Sequence, residues 1–179
     1  SDGQELVKML NTANKINDRP CAIRYPRGDF SNDLDYQDSE ILEIGKARVI
    51  KNGQKIAIIS YGTILANVLV ASKIIKENLD IEITIIDARF AKPFDTKLVK
   101  DIAKNHDILI SIEEGAIGGF GSVLGNFLQD EGLIEKYNLK FRSLFMKDEF
   151  IEHDSLENMQ TKSNLDSNSI AKLVENLVK

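Results

Sequence analysis

The sequence has no tryptophan, a single cysteine, three prolines and two histidines among its 179 residues. Each scarcity closes a class of protein. One thiol, Cys21, excludes an intramolecular disulfide, so the chain relies on its own core. A reducing, cytoplasmic setting is the simpler expectation. His106 and His153 stand far apart, and neither has a second metal-ligand type at useful spacing. No Ser/His/Asp or Cys/His arrangement is legible, so neither a metal nor a catalytic residue is assigned from the sequence. No apolar run approaches the twenty or so residues of a bilayer-spanning helix, and the start lacks the features of a signal peptide. Positive charge is also short: 23 Lys and Arg stand against 28 Asp and Glu, a net charge of −5. The two signs are interspersed, without the basic stripe of a nucleic-acid binder. Nucleic acid and membrane are therefore set aside as partners.

What is present is ordinary globular material. Hydrophobic residues make up 42% of the chain, enough for one domain with a proper core plus a fragment of another. The opening segment, "SDGQELVKMLNTANKIND", lacks an initiator Met and starts within a helix-like pattern, so the sequence is expected to be a piece of a longer chain. Ser1 and Gln4 have capping-box spacing, with Leu6, Met9, Leu10 and Ala13 on one face. "PCAIRYP" reads as a short strand, with Cys21 a small buried hydrophobe beside Ile23 and Tyr25. "GDFSNDLDYQDSE" is polar and acidic and is the best linker candidate. The division expected is a tail of one domain over residues 1–30, a linker over 31–45 and a second domain over 46–179.

The second domain has a clear rhythm. "ARVIKNGQKIAIISYG" places two apolar runs around Asn52-Gly53, which predicts an antiparallel hairpin. Helix and strand patterns then alternate: a helix from Ile64, a strand "IEITIID", a helix capped by Asp95, a strand "DILISIEE", a helix in "GSVLGNFLQDEGL", a strand "LKFRSLFM" and a last helix capped by Asp166. Strands separated by helices pair in parallel through right-handed crossovers. The fold class expected is α/β, a three-layer αβα domain with a mostly parallel sheet and one antiparallel strand.

Two stretches could hold an anion. "EEGAIGGFGS" has glycines at 115, 118, 119 and 121 between a strand and a helix, as a phosphate cradle does. Against that, Leu124 stands where the third fingerprint glycine belongs, and Glu113 and Glu114 would repel a diphosphate. A tight turn with close backbone packing explains these glycines as well. "RYPRG" is the better candidate. Pro26 holds Tyr25 extended, and Arg27 projects from a strand end where α/β sheets bind ligands. A guanidinium also grips phosphate bidentately. Arg24 reads as solvated or paired with an acid. The turn "YGT" could offer helix N-terminal amides, although Thr63 as an N-cap accounts for it too.

In order and spacing, "RYPRG", "GKARVIKNGQKIAIISYGT", "DARFAKPFD", "EEGAIGGFGS" and "DEFIEHDS" resemble the C-terminal part of the 1-deoxy-D-xylulose-5-phosphate synthase family, in the transketolase superfamily. The resemblance covers nearly the whole chain. It implies a transketolase C-terminal domain preceded by the tail of a pyrimidine-binding domain. For the full-length parent it implies decarboxylative condensation of pyruvate with glyceraldehyde 3-phosphate, thiamine diphosphate and magnesium as cofactors, a homodimer, and a product feeding isoprenoid, thiamine and pyridoxal synthesis. It makes Arg27 the residue that reaches the acceptor's phosphate. The family's magnesium, diphosphate and aminopyrimidine ligands lie upstream, so these residues alone are expected to hold no cofactor and to be inactive. Asp154 follows His153 where the family has Gly, which weakens any role for His153. Two other readings share the fold: the C-terminal domain of a 2-oxo-acid dehydrogenase β subunit, and a non-catalytic assembly module.

Overall fold

The computed structural model describes residues 1–26 and 39–178. Helix α1 (Gly3–Ala13) comes first, then a segment without helix or strand to Pro26. The α/β domain follows as β1 (Arg48–Lys51), β2 (Lys55–Tyr61), α2 (Leu65–Leu79), β3 (Thr84–Asp87), α3 (Thr96–Asn105) and β4 (His106–Ala116). It closes with α4 (Phe120–Asp130), α5 (Leu133–Tyr137), β5 (Lys140–Met146), α6 (Leu156–Lys162) and α7 (Ser167–Val178).

The sheet has five strands in the order β1-β3-β2-β4-β5. β3, β2, β4 and β5 pair in parallel, and β1 lies antiparallel against β3 at one edge. Alternation along the central strands explains the three layers, since successive side chains point to opposite faces. Ile56 and Ile58 of β2, with Ile108, Ile110 and Ile112 of β4, pack under α2 and α7. Ala57, Ile59 and Leu109 pack on the other face against α3, α4 and α5. The expected three-layer α/β architecture is present.

The hairpin is not. β1 and β2 flank β3 instead of pairing with each other. The Asn52-Gly53 link passes over the chain entering β3. Gly53 N–H donates to Thr84 Oγ1 at 3.0 Å and Gln54 N–H to the Glu82 carbonyl at 3.0 Å. A Cβ on Gly53 would stand 2.3 Å from the Glu82 carbonyl oxygen, so the glycine serves a close crossing. The positive φ falls on Lys55, at 63°.

Other local expectations divide. Asp95 and Asp166 cap as read: Asp95 Oδ1 accepts from Leu98 N–H at 3.0 Å, and Asp166 Oδ1 from Ser169 N–H at 3.1 Å. The cap of α1 is Asp2, not Ser1, its Oδ1 accepting from Glu5 N–H at 2.8 Å. The expected strand "PCAIRYP" is absent, the segment having no regular secondary structure, and Cys21 is exposed rather than buried. A strand needs a neighbouring strand to satisfy its amides, and among the described residues none lies alongside.

Candidate functional site at the carboxyl ends of the parallel strands

β2 and β3 end on one edge, as Tyr61-Gly62-Thr63 and Asp87-Ala88-Arg89, and Glu113-Glu114 of β4 lie level with them. From β2 the chain crosses by α2 to β3 on one side, then by α3 to β4 on the other. The crevice between β2 and β4 is therefore the topological switch point, where open α/β sheets place ligands. Above this edge, α1 and the Pro20–Pro26 segment enclose a cavity of about 610 Å³. Leu6, Met9 and Ile16 line it on one side, and Tyr61, Thr63, Arg89 and Glu114 on the other.

The glycine loop does bind an anion, and the anion is the protein's own. Glu113 is only 3% exposed, and its Oε1 accepts the Gly121 N–H at 2.8 Å in the first turn of α4. A carboxylate there answers the partial positive charge of the helix N-terminus. The glycines make room for it: a Cβ on Gly119 would stand 2.5 Å from Glu113 Oε2, and one on Gly115 at 2.6 Å. Gly121 lies close to the sheet as well, where a Cβ would meet Ser143 Oγ at 2.0 Å. Close packing is thus the reason for these glycines, with Glu113 in the place a phosphate would take.

Glu114 turns the other way, toward the switch point. Its Oε2 accepts from Thr63 Oγ1 at 2.7 Å, and its Oε1 from Gln160 Nε2 at 2.6 Å. Gln160 is itself held by Asn67 of α2, whose Nδ2 donates to Gln160 Oε1 at 2.8 Å and to the Leu165 carbonyl at 3.0 Å. Thr63 is therefore spent on Glu114 and does not cap α2, whose N-cap is Ile64, without a side-chain bond. The Glu114 carbonyl accepts from the guanidinium of Arg24 at 3.2 Å. Tyr61 lines the same edge, stacked on Phe120 with ring centroids 5.2 Å apart. Burial raises its phenol pKa, Arg24 opposes that, and Glu113 adds to it.

A second cluster fastens α1 to the edge. Arg89 grips Glu5 bidentately, Nε to Oε2 at 2.7 Å and an NH group to Oε1 at 2.9 Å. Arg48 reaches Glu5 at 3.1 Å, Asp2 at 3.1 Å and Asp87 at 3.0 Å. Ser1 Oγ donates to Asp87 at 2.7 Å. Arg89 sits at φ 56°, in the left-handed region that side chains resist, with its N–H on Asp87 Oδ1 at 3.1 Å. Burial raises the Asp2 carboxyl, but the Glu5 amide and Arg48 outweigh it and its pKa is lowered.

Arg27, the predicted phosphate ligand, lies outside the described residues, so only its approach is visible, through Arg24 to Pro26. Arg24 is exposed and paired with a carbonyl rather than an acid. His153 is exposed, and among the described residues no cluster of His, Cys, Asp and Glu could hold a metal. Asp154 does not adopt a left-handed backbone. Its side chain accepts from Asn158 Nδ2 at 2.8 Å, Lys162 Nζ at 3.0 Å and Ser155 N–H at 2.8 Å, which lowers its pKa to about 2. His106 is a structural residue. Its Nε2 meets Thr84 Oγ1 at 2.8 Å and its Nδ1 the Ile102 carbonyl at 3.2 Å. Among the described residues no helix is long and apolar enough to cross a membrane.

Sequence reasoning missed Glu5, Arg48 and the pairing of Glu114 with Thr63. The Arg89 guanidinium is committed to Glu5, 84 positions away. No short-range signal carries such a contact.

Comparison with known proteins agrees with this architecture. A split-gene transketolase, described as an inactive β4 tetramer, is similar at 25% identity and a TM-score of 0.67. The match covers 76% of this chain and 43% of that one. Transketolases from Campylobacter jejuni and Pichia stipitis share the fold at 10% identity, with TM-scores of 0.55 and 0.54. Each covers 74% of this chain, which spans only 18% of theirs. The family model of the transketolase C-terminal domain matches residues 45–170. By that match, which takes in most of the described α/β domain, the chain belongs to the transketolase C-terminal domain family.

Proposed function

We propose that the chain is the C-terminal part of a thiamine-diphosphate-dependent 1-deoxy-D-xylulose-5-phosphate synthase. The full-length protein would condense pyruvate with glyceraldehyde 3-phosphate as a homodimer. In this reading residues 1–30 are the tail of the pyrimidine-binding domain, 31–45 the linker and 46–179 the transketolase C-terminal domain. The observation that carries it is the docking of "RYP" on the carboxyl edge of the sheet through Arg24 and Glu114, next to the switch-point crevice. An arginine three positions further on has the chemistry to grip the phosphate of an acceptor aldehyde bidentately.

The residues described here do not fit the cofactor. Glu113 fills the N-terminus of α4, the loop most like a diphosphate cradle. Among the described residues no carboxylate cluster suits magnesium. No step through the cofactor is derived from them. The carbon–carbon chemistry belongs to thiamine diphosphate and magnesium held by other polypeptide, and the contribution of this part is to bind and orient the phosphorylated acceptor.

The test is Arg27→Met in the full-length gene product. The KM for glyceraldehyde 3-phosphate should rise at least tenfold, while the KM for pyruvate stays within about twofold. An unchanged KM for the phosphorylated aldehyde would end the assignment.

A further inference from the structure

Four carboxylates line the cavity above the sheet edge, Asp2, Glu5, Asp87 and Glu114, and each is already answered. Asp2 accepts from the Glu5 N–H at 2.8 Å and pairs with Arg48 at 3.1 Å. Glu5 takes Arg89 and Arg48, and Asp87 takes Arg48, Ser1 and the Arg89 N–H. Glu114 takes Thr63 and Gln160. What stays free is a set of donors. Arg24 spends one NH group on the Glu114 carbonyl at 3.2 Å and has no other partner among the described residues. The Tyr61 hydroxyl and the Lys92 ammonium, on the same cavity, have none among the described residues. A cavity with saturated acceptors and idle donors selects a ligand that brings acceptors of its own.

We propose that this cavity binds a small molecule joining an apolar body to a single oxyanion, the oxyanion on Arg24 and Tyr61 and the body against Leu6, Met9 and Ile16. The inference uses only described residues and does not depend on Arg27 or on the synthase reading. A volume of about 610 Å³ falls within the roughly 300–1,000 Å³ of small-molecule sites, and the switch point is where α/β sheets place them. The walls are set before any ligand arrives. Glu5, 3% exposed, pins α1 to Arg89 at 2.7 Å, and the Tyr61 ring is stacked on Phe120 with centroids 5.2 Å apart. Binding then costs little ordering of the protein. Burial raises the phenol pKa of Tyr61, so the hydroxyl keeps the proton it would donate. Arg24 is near enough for its charge to oppose that rise, which brings the two donors together. A guanidinium can meet an oxyanion bidentately. Arg24 is exposed, however, and a lone cation in water holds an anion weakly. The half-buried Leu6, Met9 and Ile16 supply the rest, through apolar area removed from water.

The experiment is a calorimetric titration of the full-length protein with phenyl phosphate, which has both parts, and with inorganic phosphate and benzyl alcohol, which have one each. Phenyl phosphate should bind with a Kd below about 1 mM, and each half-probe at least about tenfold more weakly. Arg24→Met should weaken phenyl phosphate about tenfold and Tyr61→Phe about threefold. Met9→Trp fills the apolar wall and should abolish binding. Should that variant disturb α1, Arg24→Met and Tyr61→Phe, which leave the helix untouched, decide the matter without it. A Kd above about 1 mM, a half-probe that binds as tightly as the whole, or wild-type affinity in Arg24→Met or Tyr61→Phe overturns the inference. Arg27→Met should leave the probe within twofold. If it abolishes binding while Arg24→Met does not, the probe reads another site and the inference falls. The synthase reading is judged separately, by the KM of Arg27→Met for glyceraldehyde 3-phosphate, so the failure of one leaves the other in place.

Discussion

The interior of the α/β domain and the seam that carries α1 are held by opposite means. Beneath α2 and α7 the sheet offers isoleucines with no exposure, Ile56, Ile58, Ile85, Ile110 and Ile112. Across the seam, α1 docks through Glu5 on Arg89 and Arg48 and through Asp2 on Arg48, while Leu10 on its apolar face is half exposed at 50%. An 11-residue helix is marginal by itself in water, so its presence depends on that docking. The core gains from removing apolar surface from water, which is indifferent to pH and strengthened by excluded salts. The seam gains from charges in fixed geometry, which weaken with screening and with protonation. One chain thus holds two regions that respond to different conditions.

Breaking the core should cost most. Ile110→Ala leaves a cavity in a fully buried site between two helices and the sheet, and should destabilise the domain by about 3 kcal/mol in denaturant unfolding. A loss under 1 kcal/mol would mean the core is looser than described. Cutting the seam should cost less and act locally. Glu5→Ala strands Arg89 and one arm of Arg48, whose side chains are 15% and 31% exposed, so screening reduces the penalty to about 2 kcal/mol. Hydrogen exchange should show α1 losing protection while β2 and β4 keep theirs. In wild type, raising the salt should reproduce the α1 loss in part. Equal loss of protection in both regions would abolish the distinction.

The smallest effect sharpens the comparison at the opposite end of the sheet. Burial lowers the His106 pKa, against the Ile102 carbonyl and Asp107, which raise it. The folded state therefore prefers the neutral ring, whose Nδ1–H donates to Ile102 while Nε2 accepts from Thr84. That contribution is whole above about pH 6.5, the ordinary histidine value, and is lost as pH falls toward the lowered folded value. His106→Gln should flatten the stability profile over that window. If wild type and variant fall in parallel, His106 plays no part.

Much of the domain was legible because its signals are local. The caps at Asp95 and Asp166 and the apolar runs of β2 and β4 each lie within a few residues. The hairpin misreading shows the limit. Asn52-Gly53 suits a two-residue turn, but Gly53 serves a crossing against Glu82, and nothing nearby in sequence announces that β3 inserts between β1 and β2. The site divides in the same way. Glycines after a strand were visible, whereas their occupant, Glu113, was read as a repelling charge rather than as the bound anion.

The sequence alone determined the layers, the parallel order of helix and strand, and which faces are apolar, because alternation and capping are written in neighbouring residues. Only the tertiary structure decided which strand lies between which, that Glu5 answers Arg89 and Arg48, and that Glu114 braces the edge where Arg24 docks. Those pairings join residues 43 to 90 positions apart in the chain, if Glu5 with Arg48 and Arg24 with Glu114 are taken as the bounds. They form only once the sheet has brought the partners together and excluded the water that would otherwise satisfy each charge by itself.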